Sequence, residues 1–376
     1  MQSSIHFRHT QTGERQDTIW NELRSGAWKN IVPQNLLNSH LILGGDISSY
    51  KPVLRDFYLM HKGMLWDESK LMPYDPIYIP ERVDANLEIF LNEAHRFFKQ
   101  YEGKQLGVQL SGGLDSSIII GLLHHFKIPF KLIGLANKRF EFRTESHIQN
   151  ILSEWGEETI LIDYETCLPY SSLNKIPMHQ YPEFVRSFGP EVEMSNAANK
   201  LGVDILLTGQ GGDDVFSVAV QKSLDNINFM PHRYFDCMHI DLIYKPSGIN
   251  LVPFYADKRI SELIYNLRLD QKEDIPKVWA RQFFKDFLPR ELVNYTYHSD
   301  FWGFVISGVQ EVMPKLPLLF EQTYDLTHNK YFNKEKVKEL MAIDLLDHKK
   351  ETYMQIEPLL GIAVWIDTLV RGGIIK

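Results

Sequence analysis

Residues Leu106 to Phe126 run from one apolar stretch, Leu106–Leu110, through Leu110-Ser111-Gly112-Gly113-Leu114-Asp115-Ser116-Ser117, into a second, Ile118–Phe126. A strand that turns at once into a helix leaves few folds open, because the turn must sit at the end of a sheet whose face the helix covers. Gly112 and Gly113 let the backbone turn sharply and come close to an anion. The free N–H groups and positive end of the following helix face negative charge. Ser111, Ser116 and Ser117 add hydroxyl donors, and Asp115 is a carboxylate suited to magnesium. Leu110 to Ser117 therefore reads as a polyphosphate loop, with ATP and Mg2+ as the expected ligands.

The rhythm around this segment extends it to a domain. Phe130–Leu135 reads as strand, Glu145–Trp155 as helix ended by Gly156, Thr159–Ile162 as strand, Glu191–Leu201 as helix ended by Gly202, and Val203–Leu207 as strand. Alternating apolar strands and helices predict an α/β fold, a parallel sheet with helices on both faces. Ligands of such sheets lie beyond the carboxyl ends of the strands, which places adenine near Ile133-Gly134-Leu135. Asn86–Lys99 carries Leu87, Phe90, Leu91, Ala94, Phe97 and Phe98 at helical spacing and leads into the first strand. From Pro246 the chain reads as mainly helical, at Ile260–Leu267, Pro276–Phe287, Lys334–Asp347 and Pro358–Leu369. Met1 to Asp84 is irregular, with short strands at Leu41–Leu43 and Tyr78–Ile79. The expected division is a small N-terminal region, 1–84, a remnant domain or a lid, and an ATP-pyrophosphatase domain, 85–376.

Composition narrows the partners. In 376 residues, 44% hydrophobic and 23% charged side chains suffice for a packed core. A formal charge of −8 argues against neutralising nucleic-acid phosphates. Two cysteines, Cys167 and Cys237, cannot build a disulfide framework, so a reducing, cytoplasmic setting is expected. No uncharged apolar run is long enough to span a bilayer, so no membrane partner is expected.

After Val203–Leu207 comes a second glycine loop, Thr208-Gly209-Gln210-Gly211-Gly212-Asp213-Asp214-Val215-Phe216. Asp213 would share a magnesium ion with Asp115 if the two strand ends are neighbours. The first loop lacks the lysine of the commoner nucleotide loop. It resembles instead the S-G-G-x-D-S pyrophosphate loop of the N-type ATP pyrophosphatases. Thr208, Gly209, Gln210 and Gly211 resemble the start of the S-G-E-G-A-D-E loop of the asparagine synthetase family. Pro253-Phe254, Asp257-Lys258-Arg259, and Lys277 to Arg281 before Leu288-Pro289 resemble that family's further landmarks. The resemblance implies an AMP-forming ligase that adenylates a carboxylate, releases pyrophosphate and lets an amine attack.

Departures from the family pattern refine the expectation. Gln2 follows Met1 where glutamine-dependent members place a cysteine nucleophile, and the segment before the first loop is too short for their glutaminase domain. Gln210 stands where the family has a glutamate, so it cannot act as a base. The family's lysine after L-P is missing from Asn294-Tyr295-Thr296-Tyr297-His298-Ser299-Asp300, leaving Lys258, Lys277, Arg281, Tyr297 and His298 as candidates for its role. Two glutaminase-free branches, the β-lactam synthetases and the lasso peptide macrolactam synthetases, join an amine already present in a substrate. The G-x-G-G-D-x-x-F wording of Gly209 to Phe216 resembles the lasso cyclases. The expected substrate is a small molecule or peptide with a carboxylate and an amine, with room for a partner protein that delivers it. An ammonia-dependent asparagine synthetase and a non-catalytic nucleotide-binding scaffold are the alternatives. Outside the loops, Met178 to Glu183, with His179 as a proton carrier or a bonded loop residue, marks the stretch where relatives build an acceptor pocket. Glu191 and Glu193 read as that pocket's acids or as first-turn residues favoured by the helix dipole.

Overall fold

The computed structural model describes residues 6–29, 31, 54–60, 65–74, 81–136, 138, 143–182, 185–216, 240–268, 277–295, 302–335, 338 and 350–376. It divides into two compact units, one made of Ile77–Cys167 with Pro190–Asp300, the other of Met1–Pro76, Leu168–Gly189 and Phe301–Lys376. The chain thus passes between units four times, where the sequence suggested one boundary near residue 84.

The first of these units is built on a five-stranded parallel sheet. Its strands are β1 (Leu106–Gln109), β2 (Lys131–Ala136), β3 (Thr159–Asp163), β4 (Ile205–Thr208) and β5 (Asn250–Pro253). The order is β5-β4-β1-β2-β3. Val108 pairs with Leu132 on one side and Leu207 on the other. Helices α1 (Leu87–Lys99), α2 (Leu114–His125), α3 (Arg143–Ser153), α4 (Phe188–Lys200), the short α5 (Gly212–Phe216), α6 (Lys258–Arg268) and α7 (Val278–Phe283) connect and cover it. The Asn86 side chain caps α1, accepting from the Ile89 N–H at 2.9 Å. Helix α2 is apolar on every side, and Ile118, Ile119, Ile120, Leu122 and Leu123 are all fully buried. A helix without a polar face needs neighbours all round. It packs with α1, α6 and α7 in one core whose aromatic members include Phe90, Phe98, Phe254 and Phe284.

Two expectations in this unit change. The stretch after Pro246 contains β5, an edge strand ending in Pro253, where proline is tolerated because no neighbour needs its N–H. The expected helix from Pro276 to Phe287 is broken into α7 and a 3-10 turn, Lys285–Phe287. Lys277 stands at its start with φ of 62°, a left-handed conformation that a continuing helix does not contain.

In the other unit, His6–His9 pairs antiparallel with Arg15–Gln16 and with Phe57–Met60, and Leu65–Asp67 pairs with Met72–Tyr74. Its helices are Trp20–Ser25, Trp302–Val312, Leu316–Thr327 and Lys350–Arg371. The last contains Pro358 in its interior, where the sequence suggested a start. Of the expected helix Lys334–Asp347 only Lys334, Glu335 and Lys338, and of the expected strands Leu41–Leu43 and Tyr78–Ile79 none, lie within the described residues. Buried contacts tie distant segments of this unit. Trp365 Nε1 donates to the His179 carbonyl at 2.8 Å, and the Tyr170 hydroxyl donates to Glu357 at 3.3 Å.

Candidate active site

The strand order reverses between β1 and β4. From β1 the chain winds outward through β2 to β3, then returns to lay β4 on the other side of β1. At such a switch point the following loops part and leave a crevice at the carboxyl edge. The Leu110–Ser117 loop leaves β1 there, and the Thr208–Phe216 loop leaves β4. The two motifs therefore meet where this topology places ligands.

The first loop is fixed by its own polar groups. The Ser111 and Ser116 hydroxyls share a 2.8 Å hydrogen bond, the Gly113 N–H donates to Ser111 Oγ at 3.1 Å, and Ser117 Oγ donates to the Gly113 carbonyl at 2.7 Å. Gly112 has φ of 79°, and a Cβ there would lie 2.4 Å from the Glu145 carbonyl oxygen, so only glycine fits. Gly113 caps α2 with extended backbone and no side chain. The first-turn amides of α2, which have no intrahelical acceptors, are left for an anion. Leu110 N–H donates to the Ile133 carbonyl at 2.7 Å, and Gln149 Nε2 donates to the carbonyls of Leu110 and Leu135, each at 3.0 Å. Those bonds knit the ends of β1 and β2 at the place expected for adenine.

The second loop packs directly on the first. A Cβ on Gly209 would lie 2.8 Å from Ser116 N, and one on Gly212 would lie 2.2 Å from Asp115 Cγ. Gly211 has φ of 83°. The Gln210 N–H donates to Thr208 Oγ1 at 3.3 Å, and the Gln210 side chain is exposed. Below, the buried Tyr255 hydroxyl donates to the Asp115 carbonyl at 2.7 Å. Burial first and the Asp115 charge second push that phenol well above its usual range, so it stays a donor.

Asp115 and Asp213 converge on one cation. Lys277 Nζ lies 2.7 Å from both carboxylate oxygens of Asp115 and 2.6 Å from Asp213 Oδ1. Its side chain is 12% exposed, against 79% for Asp213. Burial alone would lower the lysine's pKa, but Asp115 and then Asp213 outweigh it and leave the value raised, so the ammonium stays charged. The ring of Phe216 lies 6.0 Å from Nζ. Of the other candidates, Arg281 and Lys258 lie within the described residues. Arg281 is buried one turn along α7. Lys258 is 62% exposed, with Glu262 at 3.7 Å as an ion-pair partner. Tyr297 and His298 lie outside the described residues.

A second polar group lies beside the end of β1. Glu191, in the first turn of α4, accepts a short hydrogen bond from the buried Tyr244 hydroxyl, and Gln109 Nε2 stands 3.4 Å from that hydroxyl and 3.5 Å from Glu191 Oε2. The sequence offered Glu191 as a pocket acid or a first-turn residue favoured by the helix dipole, and did not point to Tyr244, which stands in no motif. His179 lies in the other unit, its ring buried and Nδ1 bonded to the Pro177 carbonyl at 3.0 Å, the bonded-loop alternative of the two considered.

Fold and site together define a parallel α/β domain with two glycine loops joined through a carboxylate-lysine cluster. Residues 101–226, which carry both loops, match the asparagine synthase family model, and this part of the chain is asparagine synthetase-like. The chain is 29% identical over 185 residues to a protein named glutamine-hydrolysing asparagine synthetase 2 in Methanocaldococcus jannaschii, covering 46% of this chain and 28% of that one. It is 23% identical over 312 residues to one named asparagine synthetase, glutamine-hydrolysing, from Acanthamoeba polyphaga mimivirus, covering 76% and 54%. The chain therefore spans little more than a quarter of the length of one relative and little more than half of the other. Among solved structures, the U34-tRNA thiolase NcsA from Methanococcus maripaludis, with its 4Fe-4S cluster, matches with a TM-score of 0.33 and 14% identity over 73% of this chain and 87% of that one. A likeness that slight bears on neither fold nor chemistry. No helix among the described residues is long and apolar enough to cross a membrane.

Proposed function

We propose that this chain is an ATP-dependent carbon–nitrogen ligase that adenylates a substrate carboxylate, releases pyrophosphate and gives the activated acyl group to an amine. The observation that carries the reading is the meeting of Asp115 and Asp213, from two glycine loops far apart in sequence, on the buried ammonium of Lys277. The triphosphate would lie over Ser111 to Ser117, with adenine toward Ile133 and Leu135.

Carboxylates acylate poorly because oxide is their leaving group. Attack of the carboxylate oxygen on the α-phosphorus expels pyrophosphate and converts that group to AMP, which the amine then displaces. Lys277 would take charge from the departing diphosphate, the role of the family's missing lysine. Two carboxylates form a hard-oxygen pair that suits magnesium. Asp115 and Asp213 would hold the metal, which when bound spreads the charge of the polyphosphate. Gln210 cannot take a proton, and Glu191, held by Tyr244 and flanked by Gln109, is the carboxylate beside β1 for the attacking amine. Holding acid and amine side by side raises their effective concentration, so no covalent enzyme intermediate is needed.

The substrate class we favour is a natural-product precursor, a peptide or small molecule closed to a lactam, on the wording of Gly209 to Phe216. The names of the two relatives support a second reading, amide formation on aspartate with ammonia. Pyrophosphate and AMP release with ATP and Mg2+, measured against aspartate, β-amino acids and candidate peptides, separates the two. Formation of ADP and phosphate would overturn both.

A further inference from the structure

The Asp115–Asp213 pair suits a divalent ion in donor chemistry but not in available space. Lys277 Nζ stands 2.6 to 2.7 Å from three of the carboxylate oxygens that a metal would use. Charge-assisted bonds of that length are close to the shortest for an ammonium. A magnesium ion needs the same oxygens at about 2.0–2.1 Å in an octahedral shell, so the two cations exclude each other between these carboxylates.

The lysine is also held in place. Its backbone sits at φ 62°, ψ 16°, its carbonyl accepts from the Arg281 N–H at 3.2 Å at the start of α7, and its ammonium lies 6.0 Å from the centre of the Phe216 ring. Asp115 is packed against the backbone at Gly212, so its carboxylate stays beside Lys277 while the loops stay packed. With Lys277 in place the cluster carries one net negative charge; without it, two.

We propose that Lys277 bars free divalent cations from Asp115 and Asp213, so that the metal enters only together with a polyphosphate, whose oxygens draw the ammonium off the carboxylates. This rests on the nucleotide reading of the loops but on neither the acid nor the amine. Lys277 is then the residue that makes the carboxylate pair selective for metal–nucleotide over metal.

Manganese(II) is the probe, followed by electron paramagnetic resonance and by calorimetry on the full chain. Without nucleotide, wild type should bind Mn2+ at this pair at least tenfold more weakly than Lys277→Met, and Lys277→Arg should behave as wild type. Adding Asp115→Asn to Lys277→Met should abolish the gained site. With ATP present, wild type should take up the metal. Equal Mn2+ binding by wild type and Lys277→Met without ATP would overturn the proposal. So would a nucleotide-free wild-type site that Asp115→Asn removes, a result that needs no lysine variant and holds even if Lys277→Met fails to fold. Failure of ATP to bring in metal would count against the nucleotide reading itself. Absence of ligation with every acid and amine would leave the metal result standing and sink only the ligase reading.

Discussion

Asp115 accepts from Lys277 through both oxygens, while its main-chain carbonyl is held by Tyr255. Removing the carboxylate should therefore cost chemistry more than folding. Asp115→Asn is expected to lower pyrophosphate release by about 100-fold or more, the scale for losing one charged group at a transition state, with a melting temperature near wild type. Cys167 gives the opposite case, a group with reactivity suppressed. Burial first, then the charges of Glu193 and Asp163, push its thiol up to about 12. A thiolate is the reactive form, so peptide mapping after treatment with a thiol reagent at pH 8 should find Cys167 unmodified until denaturant is added. At this scale the loop residues were legible because glycine, serine and aspartate in strand-turn-helix order have few other uses. Lys277 was one name among five because its K-x-x-x-R landmark does not say what the lysine faces. Its place in the cluster follows from a fold that brings residues 115, 213 and 277 to one point, and Tyr244 was invisible for the same reason.

Among the elements, the two glycine loops are fitted to each other. Gly212→Ala would drive its Cβ to 2.2 Å from Asp115 Cγ. The loops would have to part, at a cost of about 1–3 kcal/mol, and calorimetry with ATP should show the loss of affinity exceeding the loss of stability. Gly121 is a structural counterpart. Its missing Cβ leaves room for the Phe287 carbonyl, 1.9 Å from where that atom would stand, so Gly121→Ala should lower the melting temperature by loosening α2 from the 285–287 turn. The elements themselves were read from periodicity in α1 and from continuous apolar runs in α2 and β1. Periodicity failed at β5, four residues ending in proline, and at α7, which starts only after the left-handed Lys277 and stops at Phe283. Neither short edge strands nor left-handed residues carry a periodic signal.

For the whole molecule, the unit that lacks the loops contributes a pH dependence. Burial holds the His179 imidazole down to about 4, opposed by its bond to the Pro177 carbonyl and reinforced by Arg371. Because the folded value lies below the unfolded one of about 6.5, the unfolded chain binds the extra proton, and stability rises with pH between them. The full contribution is present above about pH 6.5 and is lost as pH falls toward 4, an effect of about 3 kcal/mol. Melting temperatures measured from pH 7 to 4 should fall along that range, and His179→Asn, which keeps a donor in reach of Pro177, should flatten the slope. No motif in the sequence foretold a chain that crosses between two units four times, because that division is made by long-range packing.

The placement of β4 beside β1, with the whole excursion through β2 and β3 between them, has a consequence for how the domain unfolds. A ligand lodged where the order reverses would staple early and late stretches of the polymer together. Nucleotide should then act as a thermal brace, delaying melting in proportion to the logarithm of its concentration.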